Sequence, residues 1–253
     1  MAIVRQLGKQ QDLAVKGSLP GMDYVGILDG HGTDKCIRLL RGFNFDEIAV
    51  KEDPAQEILE RLSGEDLYMS GSTFTFAKIT EGQVEVLNVG DSQTVVIVNG
   101  KIVFITEKHN FHNPAEIERT QEYMERIELT YAPFPISECE IHEMRSDVGV
   151  FKVGEKLVPS QSFGHNNMTR ISAGRTVIPF LKQDKVRVIC GSDGFWDMYM
   201  AKSEMLATAT PEELVDEAER RWRQTWTYVS WGNTVRTSYG SGMDDVAISV
   251  WEN

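Results

Sequence analysis

Tyr24-Val25-Gly26-Ile27-Leu28-Asp29-Gly30-His31-Gly32-Thr33 is the stretch from which the fold of this chain is read. The apolar run Val25 to Leu28 predicts a buried strand, which stops at an acid, a glycine, a histidine and a second glycine. Such an ending sets a carboxylate at the rim of a sheet. Gly30 is free to take backbone angles closed to other residues, which would turn its carbonyl toward whatever Asp29 holds. Alone, Asp-Gly-His-Gly also describes an ordinary turn, so the reading depends on what recurs elsewhere.

Upstream, residues 2–28 predict two strands joined by a polar turn around Lys16-Gly17-Ser18-Leu19-Pro20-Gly21. Downstream, Ile37, Leu39 and Leu40 predict a helix packed on the sheet, and Asp53-Pro54 opens a second helix with an acid at the N-cap and proline at its first position. Residues 73–79, 84–89, 94–98 and 101–106 are β-rich runs, separated by Thr80-Glu81-Gly82, Gly90-Asp91-Ser92 and Asn99-Gly100. The last of these is a strong hairpin signal, and together the runs predict an antiparallel meander. A loop and a helix from about Asn113-Pro114 follow; Thr130 to Pro179, rich in proline and glycine, predicts irregular structure. Val186 to Cys190 predicts a strand, Pro211 to Thr225 a helix with Leu214, Val215, Ala218 and Trp222 on one face, and Val246 to Trp251 a final strand. No repeat or linker divides the chain, so residues 1–253 are expected to form one domain.

The strand-end design recurs. Asp193 follows the strand ending at Cys190, and Asp244 and Asp245 precede the strand beginning at Val246, each beside glycine or another small residue. If these ends meet at one sheet edge, several carboxylates lie close together, and a hard divalent cation relieves their repulsion. An oxygen-only set points to Mg²⁺ or Mn²⁺ rather than zinc. Composition agrees with a soluble globular chain. A net charge of −12 argues against nucleic acid or an anionic membrane as partner, and no apolar run approaches the roughly 20 residues of a membrane span. Three widely spaced cysteines, Cys36, Cys139 and Cys190, offer no zinc spacing and no disulfide framework, which suits a cytoplasmic, reducing compartment.

The order of the motifs resembles that of the metal-dependent serine/threonine protein phosphatases of the type 2C class. The matching pieces are Gln11-Asp12, Asp29-Gly30-His31-Gly32, Gly71-Ser72-Thr73, Asn88-Val89-Gly90-Asp91-Ser92, Ser192-Asp193-Gly194-Phe195-Trp196-Asp197 and Gly242-Met243-Asp244-Asp245-Val246. The run from Thr106 through Pro114-Ala115-Glu116 to Arg119 adds to them. The resemblance implies an α+β fold, a four-layer α-β-β-α sandwich of two antiparallel sheets flanked by helices, with two Mn²⁺ or Mg²⁺ ions at one edge. It implies that Asp29 bridges both ions and that the Gly30 carbonyl binds one. Asp193 and Asp244 would bind the other, and Asp12 would be a ligand or hold a metal-bound water. His31 would be the general acid, in hydrolysis of phosphoserine and phosphothreonine in a phosphoprotein substrate. A cysteine-based phosphatase is set aside on the expectation that no Cys-x5-Arg spacing occurs.

Departures from the pattern are informative. The substrate-phosphate arginine has two candidates, Arg5 first and Lys9 second. His165 stands where the resemblance implies an acid linked with a third, weakly held metal, so that a third ion is left open; Asp245 could exchange with Asp244 as ligand. Retention of Asp29, His31, Asp193 and Asp244 favours an enzyme over a catalytically silent phosphatase-like regulatory or binding module. A hydrolase of small phosphoesters shares the same core. Oligomeric state and physiological substrate are not legible.

Overall fold

The computed structural model describes residues 1–133, 143–152, 154, 156–198, 203–230, 233–237 and 242–253. The opening strands are β1 (Ala2–Arg5), β2 (Asp12–Leu19) and β3 (Met22–Gly32), three where the sequence predicts two, because Gln6 to Gln11 interrupts the first run. Helices α1 (Lys35–Arg41), α2 (Phe45–Ala49) and α3 (Pro54–Arg61) follow, then β4 (Ser70–Ser72), β5 (Phe74–Thr80), β6 (Gln83–Val89), β7 (Gln93–Val98) and β8 (Lys101–Ile105). After α4 (Pro114–Thr120) come β9 (Met124–Pro133), β10 (Glu143–Phe151), β11 (Lys156–Leu157), β12 (Phe163–Gly164), β13 (Gly174–Pro179) and β14 (Val186–Gly191). The chain finishes with α5 (Asp193–Met198), α6 (Ser203–Thr208), α7 (Pro211–Arg223), β15 (Trp226–Ser230), β16 (Asn233–Thr237) and β17 (Val246–Glu252).

Two large antiparallel sheets result. One is five-stranded in the order β1-β17-β14-β7-β8; the other, seven-stranded, runs β12-β4-β3-β5-β6-β13, with β2 also paired to β3. Strand alternation sends side chains of each sheet to two different layers. From β3, Val25 and Ile27, with Ala77 and Val86 of the same sheet, face the other sheet, whose Val96, Val188, Cys190 and Ala247 complete an inter-sheet core. Tyr24 and Leu28 face the other way, against Cys36, Ile37, Leu40, Ile48 and Ile58 of α1–α3. On the five-stranded sheet, Ile189, Val246, Ile248 and Val250 pack outward on Phe195, Leu214, Val215 and Trp222 of α5 and α7. The layering is α-β-β-α, as the resemblance implies.

Several helix ends are set by local chemistry. Asp53 accepts from Gln56 N at the start of α3, and Asn113 accepts from Ala115 N at the start of α4; each helix begins with proline. At α7, Thr210 and Glu213 form a reciprocal capping box.

Other expectations change. The runs from 73 to 106 are not one meander: β5 pairs β6 in the larger sheet, whereas β7 pairs β8 in the smaller. Gly90-Asp91-Ser92 carries the chain across, with Gly90 at φ +97°, and hydroxyls of Thr75 and Thr94 meet at 2.7 Å between the sheets. The region from Thr130 onward is less irregular than its prolines suggest, since β9 and β10 form a long ladder extended by β11. Pro135, Cys139 and Trp231 lie outside the described residues.

Candidate active site

The strand carrying Asp29 does not end there. It continues to Gly32, pairing β2 on one side and, at its end, β4 on the other. Register places Asp12 directly opposite Asp29. The Asp29 backbone is fixed by Thr73, whose N–H donates to the Asp29 carbonyl at 2.8 Å and whose hydroxyl accepts from Asp29 N at 3.3 Å; that hydroxyl also meets Ser92 Oγ at 2.7 Å. Gly30 is required for a different reason than expected. Its φ is not positive, a conformation that Gly32 takes in this stretch (φ +73°). Instead, a Cβ at residue 30 would sit 2.9 Å from the Gln11 carbonyl oxygen and 3.0 Å from Ile37 Cβ.

The second half of the site comes from the other sheet. Ser192 ties the end of β14 to the start of β17: its N–H donates to Ala247 O at 3.0 Å, and its hydroxyl accepts from Ala247 N at 3.1 Å. A Cβ at Gly194 would lie 2.1 Å from the Asp245 carbonyl oxygen and 3.2 Å from Asp244 Cβ, so the Asp193 and Asp244 segments are in direct contact. Trp222 closes the rear by donating to Gly194 O at 2.8 Å.

Four acids thereby share one electrostatic neighbourhood. Burial, then the charge of Asp193, then Asp12, hold the Asp29 carboxyl well above the usual carboxylate range. Asp12 is raised likewise, by burial and then Asp193, and its Oδ2 is buried with no hydrogen-bond partner. Burial and Asp193 also raise Asp244. Buried carboxylates that repel one another, one with an unpartnered oxygen, are the donor set a hard divalent cation stabilises. Among the described residues, no three His, Cys, Asp or Glu side chains are already drawn together as a formed metal centre. The fit therefore rests on donor chemistry and register.

Other sequence candidates separate by their contacts. Asp245, 1% exposed, accepts from Gly8 N and Gln11 N, each at 2.8 Å, so both its oxygens are engaged in holding the loop of residues 8–11. Lys9 on that loop reaches Asp244 at 3.2 Å. Burial works against its charge, but Asp244, Asp193 and Asp29 outweigh it and raise the ammonium's pKa. Arg5 is not brought to the cluster: it pairs with Asp216 at 3.3 Å and Glu219 at 3.5 Å on α7, because β1 lays its side chain on the outer, helix-covered face.

His31 and His165 stack at 5.0 Å with an interplanar angle of 22°. His165 Nδ1 lies 2.9 Å from the Tyr68 carbonyl oxygen, and the Nε2 atoms of both rings lie over Gly71, 2.4 and 2.5 Å from where a Cβ would stand. His165 is thus placed against His31, not among the acids. Burial, and then His165, push His31 down to about 3, in place of the ordinary value on which a simple general acid would rely. The loop carrying His165 is anchored through buried Glu116, which takes Arg119 at 2.8 Å, Gln161 at 2.8 Å and the Ser160 hydroxyl.

Asp91, Lys108 and Asp197 lie within the motif runs 88–92, 106–119 and 192–197, which assign them no role. The structure gathers them: Lys108 pairs with Asp197 at 3.5 Å, while Asp91 is raised to about 7 and Asp197 to about 6, in both cases first by burial. A lysine one residue before His109, just past a strand, is the signal that could have been weighed. The exclusion of a cysteine phosphatase does not follow from spacing, because Cys139 and Arg145 stand in the relation Cys-x5-Arg; Cys139 lies outside the described residues.

Comparison with known families decides the kinship. The profile of protein phosphatase 2C matches residues 22–213. The chain belongs to the protein phosphatase 2C family. Among curated relatives, the probable protein phosphatase 2C 76 of Arabidopsis thaliana is 26% identical over 216 residues, covering 79% of this chain and 47% of its own length. The probable mitochondrial protein phosphatase 2C member 13 of Oryza sativa is 23% identical, with coverage of 79% and 54%. The chain thus spans about half the length of these protein phosphatase 2C relatives.

Solved structures share the fold. A sex-determining protein of C. elegans superposes with a TM-score of 0.65 at 18% identity, over 99% of this chain and 64% of that one. The serine-threonine phosphatase 2C of Toxoplasma gondii gives 0.60 at 15% identity, over 100% and 94%. The catalytic domain of the phosphatase PstP in complex with two manganese ions gives 0.54 at 15% identity, over 100% and 97%. Among the described residues, no helix is long and apolar enough to cross a membrane.

Proposed function

We propose that this chain is a metal-dependent protein serine/threonine phosphatase, a phosphoric monoester hydrolase acting on phosphoserine and phosphothreonine in phosphoprotein substrates. The observation that carries the reading is the convergence of Asp12, Asp29, Asp193 and Asp244 from two sheets beside His31, in a chain of the protein phosphatase 2C family. Asp12, Asp29, Asp193 and Asp244, with the Gly30 carbonyl, would hold two Mn²⁺ or Mg²⁺ ions. When bound, such ions supply a water acidic enough to react near neutral pH and neutralise phosphate oxygens.

The chain's own groups do the remainder. Lys9, already at the acid cluster, is the better placed cation for the substrate phosphate, since Arg5 is engaged on α7. His31 protonates the leaving alkoxide. Burial and His165 disfavour a charged ring in the free protein, and a phosphate dianion bound beside it favours the imidazolium, so His31 takes its proton from solvent as substrate binds and gives it to the leaving alkoxide. His165 fixes the plane of that ring by stacking.

The test is turnover of a phosphothreonine peptide and of an aryl phosphate against Mn²⁺ concentration, with a chelator control. Saturable, chelator-sensitive turnover of the peptide is expected. Turnover of small esters alone would redirect the reading to a small-molecule hydrolase, and no turnover from folded protein at any metal concentration would overturn it.

A further inference from the structure

Six carboxylates interact in and around the site: Asp12, Asp29, Asp193 and Asp244, with Asp91 and Asp197 at one end. Two lysines answer them from opposite ends, Lys9 on Asp244 and Lys108 on Asp197. The two ends differ in how the lysine is held. Lys9 is 57% exposed on a loop, whereas the Lys108 side chain is 30% exposed and its partner Asp197 24%.

The backbone around Lys108 is clamped on both sides. Thr106 N donates to Thr94 O at 3.0 Å, and His109 N donates to Gly90 O at 2.9 Å. The Asn88 amide bridges Gly90 O at 3.0 Å and Glu107 O at 3.2 Å, and Gly90 N donates to His109 Nδ1 at 3.2 Å. The corner that carries Asp91 between the sheets is therefore the same corner that holds residues 106–109. The backbone that carries Lys108 is thus fixed to the segment that carries Asp91. Its charge interacts with Asp197, Asp91 and Asp193.

We infer that the Lys108 ammonium is a tethered cation of the acid cluster, occupying the charge position at the Asp91–Asp197 end so that this end takes up no divalent ion of its own. The inference rests on the metal-dependent reading above. Once ionised, as binding of a cation requires, six carboxylates against two ammonium groups leave a deficit of four charges, which two divalent ions match. An ammonium 3.5 Å from Asp197 Oδ1 also sets a positive charge against any ion that took the roughly 2.0–2.6 Å spacing of a carboxylate–cation bond at this end.

The experiment counts ions. Binding of Mn²⁺ to the full chain is followed by the electron paramagnetic resonance signal of free Mn²⁺, for wild type, Lys108→Met and Lys108→Arg, with circular dichroism as the check of fold. Wild type and Lys108→Arg are expected to saturate at two ions per chain, and Lys108→Met, which keeps the apolar stem and loses the charge, at three. A third ion in wild type overturns the inference, whatever the variants do, as does a folded Lys108→Met that stays at two. No Mn²⁺ bound by any of the proteins would instead overturn the metal-dependent reading, and this inference with it.

Discussion

Asp12 and Asp245 are both buried aspartates near one sheet edge, 3% and 1% exposed, yet they are spent on opposite tasks. Asp245 has two backbone N–H groups on its two oxygens and serves to hold the loop of residues 8–11. Asp12 faces Asp29 across a strand pair with one oxygen unpartnered, and the burial of each carboxyl is made worse by its neighbours. Burial is therefore not what marks a functional acid here. What sets Asp12 apart from Asp245 is a buried oxygen left unpartnered beside other acids, a cost that a bound cation would relieve.

That contrast can be broken experimentally. Asp29→Asn should lower Mn²⁺-dependent phosphopeptide turnover by on the order of 10²–10³ while leaving the thermal midpoint of the metal-free protein unchanged or higher, because a repelling charge is removed. Full metal-dependent activity in Asp29→Asn would sink the assignment. Asp245→Ala should do the reverse as its primary effect, destabilising the fold by about 2–4 kcal/mol through two stranded N–H groups, seen in denaturant unfolding. Glu116→Gln should cost about 2–3 kcal/mol by weakening the Arg119 and Ser160 contacts that hold the His165 loop, with the loss read in the same unfolding assay.

The smallest effect is the pH dependence of the metal-free protein. Asp91 and Asp197, at about 7 and about 6, bind protons more tightly in the folded than in the unfolded chain, where the ordinary value is 3.8. The native state then holds more protons, and stability falls as pH rises from about 4 to about 7. The thermal midpoint should be a few degrees higher at pH 5 than at pH 7.5 without metal, and saturating Mn²⁺ should flatten or reverse that difference. A midpoint that rises with pH in the chelated protein would contradict the buried, unsatisfied character of this end of the site.

Much of this was legible in the sequence, for reasons that are local. The β-branched runs, Asn99-Gly100, the helix-opening prolines Pro54, Pro114 and Pro211 and the acids beside glycine all report short-range chemistry, and they located most strands, three helix starts and the Asp29, Asp193 and Asp244 positions. What depends on partners distant in sequence was not legible. The crossing at Gly90 to Ser92 looks like any hairpin turn until the two sheets exist. Arg5 and Lys9 differ only in which face of β1 and its following loop they leave from, and tertiary packing lays Arg5 on α7 while it brings Lys9 to Asp244. The β9–β10 ladder was hidden because prolines and glycines cluster at its ends.

The crossing at Gly90 to Ser92 has a mechanical consequence. Asp12 and Asp29 ride on one sheet, Asp193 and Asp244 on the other, and the interlayer between them is filled by compact side chains such as Val25, Val96, Val188 and Ala247. The site is accordingly a vernier for the sliding of one sheet over the other. A shear too small to unfold anything would misalign its halves, so a truncation deep in that interlayer should register in catalysis before it registers as a change of fold.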